Sequence, residues 1–225
     1  MLPITKWTGS KRYQASDIVS NFPKEINTYY EPFIGGGSVL CEYINRLESG
    51  NYKCNHIICS DTNYDLIQIY IMVRDNYKFF LNEYEKLYNE FAPLNINDRK
   101  VFYNKIRDTY NQIKRDNNTL YNERRIIYFN WLMRNCFNGL VRYNKQGDFT
   151  TSCYFTRSGI KPNNLEKIIY EWNYLLNKYN VQFFVKSYNQ LENIQSNDLV
   201  YCDPPYDISG GMYDYDTFDK EHFFN

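Results

Sequence analysis

The sequence predicts an α/β protein in which a parallel sheet with covering helices is interrupted mid-chain by a basic helical insertion. Three observations predict it. Strand-then-helix patterns occur twice before residue 75, and the sheet pattern resumes after residue 160. The stretch between keeps helical spacing, with no strand signal before a hairpin-like segment around Gly147. The charge is also divided: the 26 basic and 26 acidic residues cancel overall, yet residues 99–161 hold 13 Lys and Arg against Asp108, Asp116, Glu123 and Asp148. Such a segment is either a solvated helical face or a surface that faces phosphates, because Lys and Arg gain affinity for nucleic acid by releasing its condensed counterions.

The elements follow in order. Residues 28–32 read as a short strand that enters a glycine turn at Gly35, Gly36 and Gly37, and Val39, Leu40, Tyr43, Ile44 and Leu47 then recur at helical spacing. A second apolar run, residues 56–59, ends in Ser60 and Asp61, and Leu66, Ile67, Ile69, Tyr70 and Val73 continue as a helix. Strands joined through helices pair in parallel. From Asp75 to Trp131 the spacing of Tyr84, Leu87, Tyr88 and Phe91, then of Phe102, Ile106, Tyr110 and Ile113, predicts long polar helices. Residues 140–151 alternate about Lys145, Gln146, Gly147 and Asp148 and read as a hairpin or a loop of hairpin character. A helix over residues 165–179 and strands over 181–186 and 199–202 close the pattern. The economical arrangement is one Rossmann-like domain, built from residues 1–74 and 160–225, with residues 75–159 inserted as a helical unit bearing the hairpin.

Composition narrows the class. A chain of 225 residues suits one domain, with or without an insertion, and can bury a core that needs no disulfide or metal. Its 24 Tyr, 15 Phe and 3 Trp argue against disorder, since aromatic area offsets chain entropy. No apolar run approaches the roughly 18 residues of a membrane span. The first residues show no signal-peptide pattern, which predicts an intracellular protein. The six cysteines form no C-x-x-C pair and have no neighbouring His, so reduced, buried thiols are expected and no metal site.

Asp203-Pro204-Pro205-Tyr206 follows the last apolar run, at the carboxyl end of a predicted strand, where ligand sites of open α/β sheets lie. Two prolines remove two backbone donors and leave carbonyl oxygens free to accept. A carboxylate beside a free carbonyl is an acceptor pair for an amino group, and Tyr206 offers a face for a flat ring. A rigid strand-end turn is the blander alternative. The turn from Phe33 through Gly35 to Gly37 lies at the first strand-helix junction, where glycine permits close backbone approach to a ligand. Glu31 and Asp61 place carboxylates at two adjacent strand ends, suited to cationic amines or ribose hydroxyls; Asp61 equally suits a helix N-cap. Lys6-Trp7-Thr8-Gly9-Ser10-Lys11 is a basic and aromatic cluster that composition alone would assign to a frayed terminus.

Taken together, Trp7-Thr8-Gly9-Ser10-Lys11, Tyr30 to Val39 with its Glu31-Pro32-Phe33-Ile34-Gly35-Gly36-Gly37 core, Asn138-Gly139-Leu140-Val141-Arg142-Tyr143-Asn144 with Gly147 and Phe149, and Val200 to Tyr206 resemble, in order, the motifs of Dam-type DNA adenine methyltransferases. The resemblance spans residues 7 to about 206 of this chain. It implies a Rossmann-like methyltransferase sheet that holds S-adenosylmethionine, with the insertion as a helical target-recognition domain for double-stranded DNA. Trp7, Lys11, Glu31, Phe33, Gly35, Gly37, Asp61, Ser187, Tyr188 and Asp203 match cofactor-binding positions. Lys6, Phe137, Asn138, Leu140 and Arg142 match positions that read or stack in DNA, and Arg142 is suited to guanine, whose major-groove edge offers two acceptors. Asp203, Pro204, Pro205 and Tyr206 match the catalytic motif.

Adenine chemistry explains such a motif. The exocyclic nitrogen is a poor nucleophile because its lone pair is delocalised, and in a duplex it is paired, so the base must leave the stack. The resemblance further implies strands beyond Asn225, which leads to the expectation of a chain incomplete at its C-terminus, with an open sheet edge available for association. Residues 152–157 depart from the usual family sequence after the hairpin, so a GATC target does not follow. Two alternatives stand beside the adenine-specific DNA enzyme: a remnant or split-enzyme part that binds without turnover, and an RNA adenine methyltransferase.

Overall fold

The computed structural model describes residues 1–116 and 121–204. A short helix, α1 (Ala15–Ser20), precedes strand β1 (Glu25–Glu31), helix α2 (Ser38–Glu48) and strand β2 (Lys53–Asp61). Three helices follow, α3 (Tyr64–Phe91), α4 (Ile96–Asp116) and α5 (Glu123–Asn135). After the hairpin-like segment come α6 (Pro162–Lys178) and strands β3 (Gln182–Val185) and β4 (Leu199–Val200).

The four strands form one parallel sheet in the order β3-β2-β1-β4. Tyr30 of β1 faces Ile58 on one side and Val200 on the other. β1 is an inner strand with β2, the next strand in the chain, on one side and β4, the last of the described strands, on the other. Its carboxyl end therefore opens beside a switch in strand order, the place where α/β sheets form a crevice. The 56–59 run is the inner part of a longer strand, and the 199–202 run pairs in regular fashion over two residues only.

The core is aromatic. Tyr29 and Tyr43 are fully buried with ring centroids 4.7 Å apart, joining β1 to α2. Tyr70 of α3 stacks on Phe183 of β3 at 5.0 Å and 12°. The first half of α3 lies on the sheet through Leu66, Ile67, Ile69 and Tyr70, and the second half carries Phe80, Tyr84, Leu87 and Phe91 toward α4 and α5. The helix bends at Asn76, whose φ of −144° leaves the helical range. Just before the bend the carbonyls of Val73 and Arg74 accept from Asn173 Nδ2 at 3.0 and 2.7 Å, and Asn177 Nδ2 also donates to Arg74. Side-chain amides reaching into a helical ladder are a recognised cause of a kink. The bend lies within two residues of the expected start of the insertion.

The segment after α5 has hairpin character without named strands. Single antiparallel bridges join Tyr143 to Phe149 and Cys136 to Cys153, and Gly147 turns with φ 78°. Helix α4 clasps it: Asn111 Nδ2 donates to Phe149 O at 3.0 Å, Asn111 Oδ1 accepts from Phe149 N at 2.8 Å, and the Tyr103 hydroxyl donates to Thr151 O at 2.9 Å. Two of the basic residues counted in this region face inward: Arg125 is 1% exposed and Arg134 is 7% exposed. The cysteine expectation needs one correction. Cys41, Cys59, Cys136 and Cys153 are buried and Cys54 is half-buried, but Cys202, which follows the last residue bonded to β1, is exposed.

Candidate active site

Three carboxylates stand at the carboxyl edge of the sheet, each just at or beyond the end of a different strand: Glu31 on β1, Asp61 on β2 and Asp203 after β4. Glu31 is 2% exposed, and the Tyr29 hydroxyl donates to its Oε2 at 2.8 Å. Burial pushes its pKa up to about 8, and the nearby charges of Asp203 and Asp61 act in the same direction. Asp61 accepts from the backbone N of Asn63 at 2.9 Å and of Gly35 at 3.1 Å. Burial raises its pKa to about 6 despite those donors. The helix cap that sequence offered as the alternative for Asp61 belongs to Asn63, whose Oδ1 accepts from Leu66 N at 3.0 Å. Asp61 instead ties the start of α3 to the glycine turn.

The glycine turn owes its composition to the chain itself. Gly35 and Gly37 have φ of 46° and 65°, and a Cβ at Gly35 would come 2.9 Å from the Trp7 ring. At Gly37 a Cβ would come 2.7 Å from the Tyr70 hydroxyl, which donates to Gly35 O at 2.9 Å. Trp7 and Tyr70 thus approach this turn closely, and the residue 7–11 segment is docked rather than frayed. Ser10 Oγ lies 2.6 Å from Ser38 Oγ, and Lys11 Nζ lies 2.9 Å from Asp203 Oδ1. Phe33, after β1, stacks on Tyr188, after β3, with centroids 5.6 Å apart and planes at 27°. Ser187 caps the turn that presents Tyr188 through a reciprocal bond with Gln190.

The residues matched to DNA positions cluster on the turn after α5. Phe137, Asn138 and Arg142 are exposed and Leu140 is half-buried. Asn138 adopts φ 55°, which turns the chain outward, and the Phe137 ring leans on Tyr154 at 5.7 Å. Lys6 is brought to the same place: a Cβ on Gly139 would meet Lys6 Cβ at 3.1 Å, and the Thr8 hydroxyl donates to Gly139 O at 3.4 Å. The stretch from Lys6 to Lys11 therefore runs from this exposed turn, past the glycine turn, to Asp203. Pro204 is half-buried after Asp203; Pro205 and Tyr206 lie outside the described residues.

Sequence reasoning missed the residues that join these parts. Asp65 and Arg125 form a buried pair, with Arg125 Nε 2.5 Å from Oδ1 and Nη2 donating to Oδ2 at 3.0 Å, while the Tyr110 hydroxyl donates to Oδ2 at 2.7 Å. Asn63 Nδ2 donates to the Tyr143 hydroxyl at 3.4 Å. Asn63 had a signal, a capping residue three positions before Leu66; Asp65 and Arg125, 60 residues apart, had none.

Comparison with known proteins agrees with this geometry. The model of the D12 class N6 adenine-specific DNA methyltransferases matches residues 7–224. Type II methyltransferase M.MjaIII of Methanocaldococcus jannaschii is 31% identical over 98% of this chain and 74% of its own length. Type II methyltransferase M.CviBI of Paramecium bursaria Chlorella virus NC1A is 28% identical over 98% of this chain and 75% of its own. The DNA adenine methylase of Escherichia coli K12 is 31% identical over 89% of this chain, which spans 63% of that relative. A match along almost the whole chain, on a parallel sheet with carboxylates at its strand ends, shows that the chain belongs to the D12 class N6 adenine-specific DNA methyltransferase family.

Proposed function

We propose that this chain transfers a methyl group from S-adenosylmethionine to the exocyclic amino group of an adenine drawn out of duplex DNA. The observation that carries the reading is the convergence of Glu31, Asp61 and Asp203 at the switch point of the sheet, with the pKa of Glu31 pushed up to about 8 by burial. The donor set fits the cofactor. Its ammonium and sulfonium charges match the surplus of carboxylates, and its ribose hydroxyls match Asp61 at the end of β2. The stacked pair Phe33 and Tyr188 offers aromatic faces for its adenine.

When bound, S-adenosylmethionine supplies an electrophilic methyl group. The chain's own residues do the rest. The Asp203 carboxylate and the Pro204 carbonyl accept the two hydrogens of the target amino group, which draws its nitrogen toward tetrahedral geometry and frees the lone pair for in-line attack. Lys11 holds Asp203 in place from the side of the docked N-terminal segment. As the new N–C bond forms at the expense of the methyl group's bond to sulfur, positive charge develops on that nitrogen, where Asp203 and the carbonyl stabilise it, and the amino group then gives up one proton by way of Asp203 to solvent. Alignment supplies much of the remaining rate. Tyr206 is the proposed stacking partner of the target ring.

Residues 75–159 form the proposed recognition unit, with Lys6, Phe137, Asn138, Leu140 and Arg142 at the DNA. The exposed setting of Phe137, Asn138 and Arg142 supports that role. No helix among the described residues is long and apolar enough to cross a membrane. Incubation of the chain with methyl-labelled S-adenosylmethionine and unmethylated duplex DNA tests the reading, with RNA as control. Label in DNA is expected. Label in RNA alone would overturn the choice of polymer, and cofactor binding without transfer would point to a binding protein.

A further inference from the structure

The start of helix α3 is shared between the two halves of the proposed site. Asp61 ends β2 and bonds the backbone N of Asn63; Asn63 then caps the helix, and Asp65 lies within its first turn. Each of these next two polar residues reaches into the recognition region. Asn63 Nδ2 meets the Tyr143 hydroxyl, and Tyr143 directly follows Arg142 in the hairpin. Asp65, 2% exposed, binds Arg125 of α5 and Tyr110 of α4, and Tyr110 makes an edge contact with Phe149 on the opposite arm of the hairpin at 6.3 Å. Lys114 of α4 covers the other end, its Nζ 4.3 Å from the Tyr143 ring centroid and 2.6 Å from Gly147 O.

The geometry points to the first turn of α3 as a coupling element, and we infer that Tyr143 and Tyr110 are positioning residues through which an occupied cofactor site at Asp61 sets the pose of the Arg142 hairpin on DNA. The inference rests on the proposed cofactor and DNA reading and deepens it. Physically, a ribose on Asp61 competes with or reorients the carboxylate that holds Asn63 N and Gly35 N. Any resulting shift of the helix start moves Asn63 and Asp65 together, because both lie within one turn of a packed helix. The two contacts then carry that shift to the two arms of one hairpin. Coupling of this kind is reciprocal: whatever factor the cofactor adds to DNA affinity, DNA adds to cofactor affinity.

The test measures duplex DNA affinity with and without sinefungin, a non-reactive cofactor analogue, and sinefungin affinity with and without DNA. Four proteins are compared: wild type, Tyr143→Phe, Tyr110→Phe and Asn63→Ser. Each phenylalanine keeps the ring and removes one hydroxyl, and Asn63→Ser keeps a capping oxygen while its shorter side chain no longer reaches the Tyr143 hydroxyl. Wild type is expected to show a coupling factor of about fivefold or more, equal in both directions. Each variant is expected to lower that factor at least threefold while its sinefungin affinity without DNA stays within twofold. Variants that bind both ligands with undiminished coupling, or a wild type that binds both without coupling, overturn the inference while leaving the proposed function standing. A wild type that binds neither sinefungin nor DNA overturns the proposed function and the inference with it.

Discussion

Lys11 Nζ lies 2.9 Å from Asp203 Oδ1, an ion pair between the docked N-terminal segment and the loop that follows β4. Both side chains are mostly buried, 15% and 17% exposed, so the contact fixes the carboxylate more firmly than a surface pair would. It also links the chain's first motif to its last, across 192 positions of sequence.

Asp203→Ala is expected to reduce methyl transfer by at least about a hundredfold, because it removes an acceptor that serves the developing charge in the transition state. Single-turnover transfer, with the folded state followed by circular dichroism, checks this. Turnover at the wild-type rate would remove Asp203 from the proposed mechanism.

Arg142→Ala is expected to relax sequence preference at one base pair, at a cost of ~1–3 kcal/mol for the preferred duplex. Affinities for a panel of duplexes report it. An equal loss on every duplex would instead assign Arg142 to a phosphate.

The raised carboxylates predict a pH dependence of stability. Burial lifts Glu31 to about 8 from its ordinary 4.5, and Asp61 to about 6 from 3.8. The folded state therefore holds protons that the unfolded chain has released, and stability falls as pH rises through those folded values. Between pH 6 and pH 9 the Glu31 contribution is on the order of 2 kcal/mol lost. Thermal melts across this range, without cofactor, are expected to show the decline, and Glu31→Gln is expected to flatten it. A wild-type melting temperature that holds steady from pH 6 to pH 9 would contradict the burial account.

Arg125→Met is expected to destabilise the chain by about 3–5 kcal/mol, since it leaves the Asp65 charge buried beside Tyr110 without its guanidinium. Replacing both members, Asp65→Leu with Arg125→Met, is expected to cost much less. Denaturant titration of the three proteins decides, and equal losses in single and double variants would show that the cost lies in losing the pair and not in the stranded Asp65 charge.

Much of this architecture was legible in the sequence because local pattern and tertiary role coincide there. The glycine turn, the apolar periodicity of α2 and α6, and the Asp203-Pro204 strand end each announce themselves within a few residues. The cap at Asn63 was hidden by Asp61 two residues earlier, an equally good capping residue that the fold uses to hold Gly35. The basic surplus of residues 99–161 overstated the surface charge, since composition does not reveal that Arg125 faces Asp65 and that Arg134 donates to the carbonyl of Ile4. The joint between α3, α4, α5 and the hairpin depends on contacts 45 to 80 residues apart, and no local periodicity encodes those.

The central claim is that this chain methylates adenine nitrogen in DNA, and nucleoside analysis of the product tests it most directly. Unmethylated duplex DNA incubated with the chain and S-adenosylmethionine, then digested to nucleosides and resolved by mass spectrometry, is expected to contain N6-methyldeoxyadenosine that is absent when Asp203→Ala is used. Methylation at cytosine, or no methylated nucleoside from a chain that binds both cofactor and DNA, would contradict the account.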